Sequence, residues 1–294
     1  MYVKAIDTVS KFVRPIYGAI RAYNSTEVQP GAATLFFINE EGYALTCKHI
    51  VEGQIGSHNQ YNQIYEDFKR RQAALPSNSN KNRKALSELI KECGYDVGDP
   101  IEYRIHFENC FDKYSKIKCW PHPACDLAII KFEGFTKLNC QSFPKFKRDT
   151  SDIKAGKNLC RLGYAFPIIN HFYYDKDSDN IIWKPNGYIN PPLALEGMIT
   201  RLIPLDHINH IEMSTPGYDY MSGAPLFDQE GSIYGMNIGV RNLYTNFNCD
   251  NVDIYHLRKK RTVTEYPFAH LGVCVPCNII TDFLDHLHIR YDSI

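Results

Sequence analysis

The stretch that decides the fold runs from Tyr220 to Gly239 and reads YMSGAPLFDQEGSIYGMNIG. It begins with a tight Ser222-Gly turn and continues into the short apolar run Pro225-Leu-Phe. A polar turn at 228–231 then leads into a second apolar segment. Glycine and polar residues between short β-rich segments predict a strand–turn–strand unit with Ser222 presented at its start.

Two further segments carry residues that can cooperate with a serine. Leu45-Thr-Cys-Lys-His49 follows a β-rich hairpin, and Cys125-Asp126 precedes the apolar run Leu-Ala-Ile-Ile. A serine hydroxyl needs a base that takes its proton, histidine titrates near neutral pH, and a carboxylate can orient that histidine. The sequence therefore predicts a catalytic triad of His49, Asp126 and Ser222.

Composition is typical of a soluble globular protein and excludes some partners. Hydrophobic residues make up 44% and charged residues 22% of the chain, and Lys+Arg and Asp+Glu are 33 each. A net charge of zero argues against bulk attraction to nucleic acid or to an anionic membrane, so we expect neither as a partner. Charges interrupt every apolar run of the N-terminus, so neither a signal peptide nor a membrane span is expected. We therefore expect a cytoplasmic protein whose ten cysteines remain thiols, with a secreted effector as the alternative.

The chain divides into three parts by its sequence patterns. Residues 1–30 are predicted to form an N-terminal arm or a short helix, residues 31–145 a first β-barrel, and residues 146–294 a second β-barrel ending in a C-terminal helix. Many short strands separated by Gly and Pro turns favour barrels. Residues 57–98 differ, because helix-forming segments flank a polar loop at 76–82. We predict a helical insertion there, either a surface hairpin or a lid or docking element.

Several segments resemble the trypsin-like serine peptidases, closest in pattern to the HtrA/Deg-type protease domain. TLFFINEEGYALTCKHIVEG is similar to the family's strand–turn–strand segment that ends in the catalytic histidine, and CDLAIIKFEG to its Asp-Leu-Ala segment. MSGAPLFDQEGSIYGMNIG resembles the nucleophile segment, LEGMITRL the segment before it, and LGVCVPCNII the closing strand. The likeness covers about residues 31–55 and 117–288, and its order of His, Asp and Ser is that of chymotrypsin-like folds.

The resemblance implies an all-β, chymotrypsin-like fold of two packed six-stranded antiparallel barrels with the triad between them. His49 would be the general base, Asp126 would orient it, and Ser222 would form an acyl-enzyme with a protein or peptide substrate. The oxyanion hole would use the backbone amides of Tyr220 and Ser222. No cofactor and no metal ion is expected, and no PDZ domain is expected in a chain that ends at Ile294.

Two features of the resemblance bear on activity and specificity. The family usually has glycine where this chain has Tyr220, and glycine reaches backbone angles that cost other residues free energy. By analogy the floor of the specificity pocket lies near Pro216, and one wall is formed by Asn237, Ile238 and Gly239. No acidic residue stands at the floor position, so we expect a small or apolar side chain before the scissile bond, not Arg or Lys.

Three functions are compatible with the sequence. The first is an intracellular serine endopeptidase that is activated by a protein partner, with the insertion at 57–98 as the expected docking element. The second is a protease-like binding or regulatory module with little hydrolytic activity, which Tyr220 favours and the intact triad opposes. The third is an esterase that uses the same triad. Reaction with a serine-directed covalent probe separates the second function from the others.

Overall fold

The computed structural model describes residues 2–75, 79–166, 168–185, 187–188, 190–205, 207–256 and 259–294. Its helices are α1 Val3–Val9, α2 Lys48–Ile50, α3 Ser57–Ala73, α4 Ser79–Cys93 and α5 Cys277–His286, and a π-helical turn, Val51–Gly56, joins α2 to α3. Its strands are β1 Val13–Ala22, β2 Val28–Phe37, β3 Tyr43–Thr46, β4 Pro100–Phe107, β5 Lys116–Pro121, β6 Ala128–Glu133, β7 Lys145–Phe146, β8 Asn158–Gly163, β9 Phe172–Asp175, β10 Asn180–Trp183, β11 Leu193–Leu205, β12 Ile208–Met213, β13 Pro225–Phe227, β14 Ile233–Tyr244, β15 Cys249–His256, β16 Lys259–Glu265, β17 Phe268–Pro276 and β18 Asp292–Ser293.

Six antiparallel strands form the sheet of the first barrel, in the order β4-β1-β2-β3-β6-β5. Its interior is aromatic, because the rings of Phe37 and Phe107 lie 5.9 and 4.8 Å from the ring of Phe132. Successive side chains of a strand point to opposite faces, so one face of the curled sheet can enclose these rings. His49 follows β3 in this sheet, and Asp126 precedes β6.

The sheet of the second barrel closes on itself. β8, β11, β12, β17, β14 and β13 pair in that order, and β13 returns to β8 through the pairs Leu226↔Arg161 and Phe227↔Cys160. β7 pairs in parallel with β14 and with β18 beside it. Closure leaves no open edge along the paired parts of these strands. The prediction of two six-stranded antiparallel barrels with a helical insertion and a C-terminal helix is confirmed.

The N-terminal arm predicted for residues 1–30 is wrong for most of its length. α1 is followed by β1, which pairs with β2 on one side and with β4 on the other, so it lies inside the first sheet. Its charged residues are buried with partners: Arg14 donates to the carbonyl of Asn109 at 2.9 Å, and Arg21 pairs with Glu102 at 3.1 Å. These charges break the apolar pattern of the sequence, but segments distant in the chain neutralise or solvate them.

The insertion predicted at 57–98 is present as α3 and α4. α3 packs against β4, and the small core between them consists of Tyr65, Phe68, Leu89 and Ile101. α4 begins at Ser79, so the loop predicted at 76–82 is wrong from residue 79 onward, and residues 76–78 lie outside the described residues. The insertion is therefore docked on the first barrel. Within the described residues, every helix is too short or too polar to serve as a membrane span.

Candidate active site

His49 lies in the helical turn α2, directly after β3. The preceding Cys47 is still extended, with φ −77° and ψ 149°, and the chain then turns helical. The backbone N–H of His49 donates to Oδ1 of Asp126 at 2.9 Å, and the ring Nδ1 lies 2.6 Å from Oδ2. Two contacts with one carboxylate fix both the backbone and the ring of His49.

The carboxylate determines which ring nitrogen of His49 carries the proton. An ionised carboxylate only accepts hydrogen bonds, so Nδ1 is the donor to Asp126 and Nε2 is the acceptor of the neutral ring. The side chain of His49 is 49% exposed, so the ring is open to a ligand. A general base in a triad needs this tautomer.

Ser222 lies in the loop between β12 and β13, against the first barrel. The N–H of Thr34 in β2 donates to the carbonyl of Ser222 at 2.9 Å, and the hydroxyl of Thr34 donates to the carbonyl of Tyr220 at 3.3 Å. Gly223 has a φ of +89°, and a Cβ there would lie 2.0 Å from the carbonyl oxygen of Thr34. Only glycine tolerates this conformation and this close approach. The contact between the barrels therefore requires glycine at position 223.

Tyr220 adopts the backbone conformation that glycine usually supplies. Its φ is +73°, and the N–H of Met221 donates to the carbonyl of Tyr218 at 3.1 Å. This hydrogen bond, with positive φ only at the third of the four residues, defines a type II turn. In the part of the chain that the structure describes, the backbone N–H groups of Tyr220 and Ser222 have no protein acceptor. Both amides are available to a ligand oxygen.

The structure brings the three predicted triad residues into one cluster around Cys47. Cys47 lies beside the Ser222 turn, because its thiol and the N–H of Gly223 both donate to the carbonyl of Asn237, at 3.4 and 2.9 Å, and the side chain of Ser222 is close enough to act on the pKa of this thiol. Cys47 Sγ in turn lies within 4.8 Å of a His49 ring nitrogen and of an Asp126 oxygen. Among the described contacts, no hydrogen bond joins Ser222 to His49. Such bonds are often long in a ligand-free site and shorten when substrate binds.

Cys47 is a neighbour that the sequence analysis did not assign to the site. It is fully buried, and burial, followed by the charge of Asp126, raises the pKa of its thiol well above the ordinary value. A buried and protonated thiol is a poor nucleophile and a poor metal ligand. The spacing of Cys47, His49 and Asp126 could hold a metal ion, but the direct bond between His49 and Asp126 already occupies these groups.

The residues predicted to form the specificity pocket lie close together. Gly217 lies against Gly239, because a Cβ on Gly217 would come within 2.1 Å of the Gly239 carbonyl oxygen. The predicted floor near Pro216 therefore touches the predicted wall. Ile238 and Gly239 are partly exposed, whereas Asn237 is fully buried. Asn237 therefore lies beneath the surface of the predicted pocket wall, and Ile238 and Gly239 lie at that surface.

A buried arginine that the sequence analysis missed lies beneath these residues. Arg161, in β8, is fully buried and donates to Oδ1 of Asn237 at 2.7 Å and to the carbonyl of Pro216 at 2.9 Å. Its guanidinium also donates to the carbonyl of Thr215 at 2.9 Å. Asn237 in turn donates to the carbonyl of Met221 at 3.2 Å. One indication of this buried arginine was present in the sequence: it is the one charged residue in the short segment Asn158–Gly163.

β14 has an open edge beside the site. From Gly239 to Tyr244, β17 is its partner among the described strands, since β13 covers only its first part. The N–H of Gly272 in β17 donates to Thr215, away from β14, so Val240, which lies opposite Gly272, is in a non-hydrogen-bonded pair. The N–H and C=O groups of Val240 and, by alternation, of Asn242 therefore point to the open edge.

Comparison with known families identifies the class of protein. The model of the trypsin-like peptidase domain matches residues 33–236, which is more than half of the chain and includes His49, Asp126 and Ser222. The chain therefore belongs to the trypsin-like peptidase family, a family of serine peptidases. No curated protein matches the chain.

One solved structure with a TM-score above 0.5 shows the same fold. The HtrA-type protease AlgW with a decapeptide has a TM-score of 0.51 at 12% identity, and the match covers 97% of this chain and 66% of that one. AlgW with a tripeptide has a TM-score of 0.48 at 13% identity, with 97% and 62% covered. This chain thus spans slightly less than two thirds of the length of AlgW, and at such low identity the likeness shows the fold alone.

Proposed function

We propose that this protein is a serine endopeptidase that forms an acyl-enzyme on Ser222. Nε2 of His49 takes the proton of Ser222 as its hydroxyl attacks the scissile carbonyl, and later gives it to the leaving amine. Asp126 holds the ring in place and stabilises the imidazolium that forms. The observation that carries this proposal is the two-point contact of Asp126 with His49, at 2.6 and 2.9 Å, beside Ser222.

The oxyanion hole in this proposal consists of the amides of Tyr220 and Ser222. Both donors lack a protein acceptor in the described structure, and the type II turn holds them before any substrate arrives. Donors that are fixed in advance need no reorganisation during the reaction, and loss of one typically costs about 10²–10³ in rate. The left-handed conformation of Tyr220 therefore supports an active site that is formed at rest.

An extended peptide is the substrate class that the edge of β14 favours. Val240 and Asn242 each direct a backbone N–H and C=O to this edge, and an extended chain can pair with such groups as an added strand. The solved HtrA-type protease AlgW holds a decapeptide, which supports a peptide ligand here. A small ester lacks the backbone groups for this pairing, so the edge favours a peptidase over an esterase.

A protease-like binding module is the second candidate function. The observation that favours it is the missing hydrogen bond between Ser222 and His49 in the described structure. In this alternative a peptide pairs with the edge of β14, but the hydroxyl of Ser222 stays beside Cys47 and is not activated. Binding of peptides without any cleavage is the expected behaviour.

We infer that a protein partner can regulate the site through the insertion at 57–98. α3 continues through the π-helical turn Val51–Gly56 into the helical turn that carries His49. A partner that binds the insertion and shifts α3 would therefore also shift the backbone of His49 and change its contact with Asp126. Removal of α4 alone tests this, because it changes the insertion and leaves the connection to His49 in place.

We also infer a reducing compartment, and hence the cytoplasm, for this protein. All ten cysteines are free thiols, which is typical of proteins in reducing compartments. Mass spectrometry of the alkylated protein from its native source tests this by counting the free thiols.

Hydrolysis of an unstructured protein such as casein tests the proposed activity. Products of the wild type, Ser222→Ala and His49→Ala are compared by mass spectrometry, with Ser10→Ala, at a partly exposed serine outside the proposed site, as a matched control. We expect Ser222→Ala and His49→Ala to lose activity by about 10⁴-fold or more, and Ser10→Ala to retain it. Cleavage by Ser222→Ala at the wild-type rate contradicts the proposal, and peptide binding without cleavage by the wild type favours the binding module.

A further inference from the structure

The guanidinium of Arg161 is a buried positive charge without a carboxylate partner. The charged or ionisable groups that act on it in the described structure are the thiols of Cys274 and Cys160 and the hydroxyl of Tyr218. Its hydrogen-bond acceptors are neutral carbonyl, amide and hydroxyl oxygens. Arginine keeps its charge in proteins, so this charge is not compensated within the described residues.

A comparison with Arg21 shows what Arg161 lacks. Arg21 is also buried, but it lies 3.1 Å from the carboxylate of Glu102. The Nε of Arg161 is buried and has no hydrogen-bond partner in the described structure. An uncompensated buried charge is strongly destabilising. A ligand that brings a carboxylate to Arg161 would offset this penalty and bind tightly for that reason.

Arg161 lies at the base of the predicted specificity pocket. It bonds to the carbonyl of Pro216 and to the side chain of Asn237, at 2.9 and 2.7 Å, which are two of the residues predicted to form this pocket. A Cβ on Gly272 would lie 2.3 Å from its terminal nitrogen, so the absence of a side chain at Gly272 leaves room for the guanidinium. The guanidinium is fully buried in the ligand-free structure, so a substrate side chain reaches it only after the residues above it move apart.

We propose that Arg161 binds the carboxylate of an Asp or Glu residue directly before the scissile bond. This inference rests on the proposed peptidase function and names its substrate class. Gly217 and Gly239 lie against each other at rest, and in this proposal these two glycines, which have no side chains, separate so that the substrate carboxylate reaches the guanidinium. The same charge repels a Lys or Arg side chain before the scissile bond. It favours an acidic residue at the position where the sequence predicted a small or apolar one.

The first test uses the wild-type protein and four peptides. They are identical except for Glu, Gln, Ala or Lys before one scissile bond. We expect kcat/KM for the Glu peptide to exceed that for the Gln peptide by at least about 10-fold, as for a hydrogen bond to a charged group. A Glu peptide that is cleaved no faster than the Gln or Ala peptide overturns the proposal.

Three variants separate recognition from structural support. Asn237→Asp supplies Arg161 with an internal carboxylate, and Arg161→Gln removes the charge, so both are expected to bring the Glu/Gln ratio close to about 1. Arg21→Gln, which removes a buried arginine that has a partner, is the matched control and keeps the wild-type ratio. Thermal unfolding identifies variants that fold. A wild-type ratio in folded Asn237→Asp and Arg161→Gln overturns the proposal.

Binding to Ser222→Ala separates this proposal from the proposed function. Fluorescence anisotropy with the same Glu and Gln peptides measures recognition without turnover. If Ser222→Ala binds the Glu peptide more tightly than the Gln peptide and the wild type cleaves neither, the role of Arg161 is supported and the peptidase function is rejected. Ser222-dependent cleavage of all peptides at equal rates, or equal binding of both, rejects the role of Arg161.

Discussion

Asp179, at the turn between β9 and β10, accepts a 2.6 Å hydrogen bond from the hydroxyl of Tyr65 in α3. Tyr174 donates to the same carboxylate at 2.7 Å, and Arg21 of the first barrel lies 3.2 Å away. The β9–β10 hairpin belongs to the segment that joins β8 to β11 of the second barrel. One carboxylate therefore ties the insertion to both barrels.

Replacement of this carboxylate is expected to destabilise the protein. Asp179→Asn removes the charged acceptor of two tyrosine hydroxyls and of Arg21, and we expect the free energy of unfolding to fall by about 1–2 kcal/mol at pH 7. Urea unfolding followed by fluorescence measures this difference. Asp177→Asn, an exposed neighbour in the same turn, is the control and is expected to change stability by less than about 0.5 kcal/mol.

The effect of Asp179→Asn is also expected to depend on pH. Burial raises the pKa of Asp179, but the hydroxyls of Tyr65 and Tyr174 and the charge of Arg21 outweigh burial and hold this pKa below its ordinary value. Such a group stabilises the fold above its unfolded pKa of about 3.9, and this contribution is lost as pH falls through the folded value. The difference between wild type and variant should therefore shrink below about pH 4. A difference that stays constant to pH 3 would contradict this assignment.

A glycine at position 220 is expected to relieve backbone strain. The φ of +73° at Tyr220 costs an L-residue about 1 kcal/mol relative to its preferred conformations, and glycine adopts it freely. We expect Tyr220→Gly to retain or raise kcat/KM and Tyr220→Ala, which keeps the strain, not to raise it. A large loss of activity in Tyr220→Gly, with the fold intact by circular dichroism, would show that the tyrosine side chain itself is needed.

Cys47 is expected to resist thiol reagents in the folded protein. Burial and the charge of Asp126 raise the pKa of its thiol well above the ordinary value, so the reactive thiolate is scarce at neutral pH. After treatment with iodoacetamide, peptide mapping should find Cys47 unmodified in buffer and modified in urea. Modification of Cys47 in buffer, at a rate like that of the partly exposed Cys249, would show that the thiol is accessible.

Pairing of a substrate with β14 is expected to depend on the backbone N–H of Asn242. Asn242→Pro removes this outward N–H and leaves the pairs with β17 intact, whereas Asn242→Ala removes only the side chain, which bonds to His270. For peptides with eight residues before the scissile bond, we expect kcat/KM to fall about 5–10-fold in Asn242→Pro only. Peptides with three such residues should show no difference between the variants. Equal loss in both variants on long peptides would assign the effect to the side chain.

The parts of the molecule that follow local patterns could be predicted from the sequence, and the parts that depend on distant partners could not. His49 follows a strand, Asp126 and Ser222 each precede one, and all three have a recognisable flanking pattern; the structure brings them together. β1 was missed because Arg14 and Arg21 break its apolar pattern, and partners that help to bury these charges, Asn109 and Glu102, come from segments far away in the chain. Arg161 was missed for the same reason: its acceptors lie on the loop after β12 and on β14.

The backbone of the oxyanion loop is a further feature that the sequence could not predict. A tyrosine disfavours positive φ, so the pattern alone left open whether Tyr220 adopts the conformation of a glycine. The hydrogen bonds from Thr34 to the carbonyls of Tyr220 and Ser222 hold the loop in this conformation. They join segments that are far apart in the chain and become visible only in the fold.

Labelling with a fluorophosphonate probe tests the central claim, an activated Ser222, most directly. The folded wild type is treated with the probe and the modified residue is located by mass spectrometry, with Ser222→Ala, His49→Ala and Ser10→Ala treated in parallel. We predict an adduct on Ser222 in the wild type and in Ser10→Ala, and no labelling in Ser222→Ala or His49→Ala. A folded wild type that remains unlabelled, or an adduct on a different serine, would contradict it.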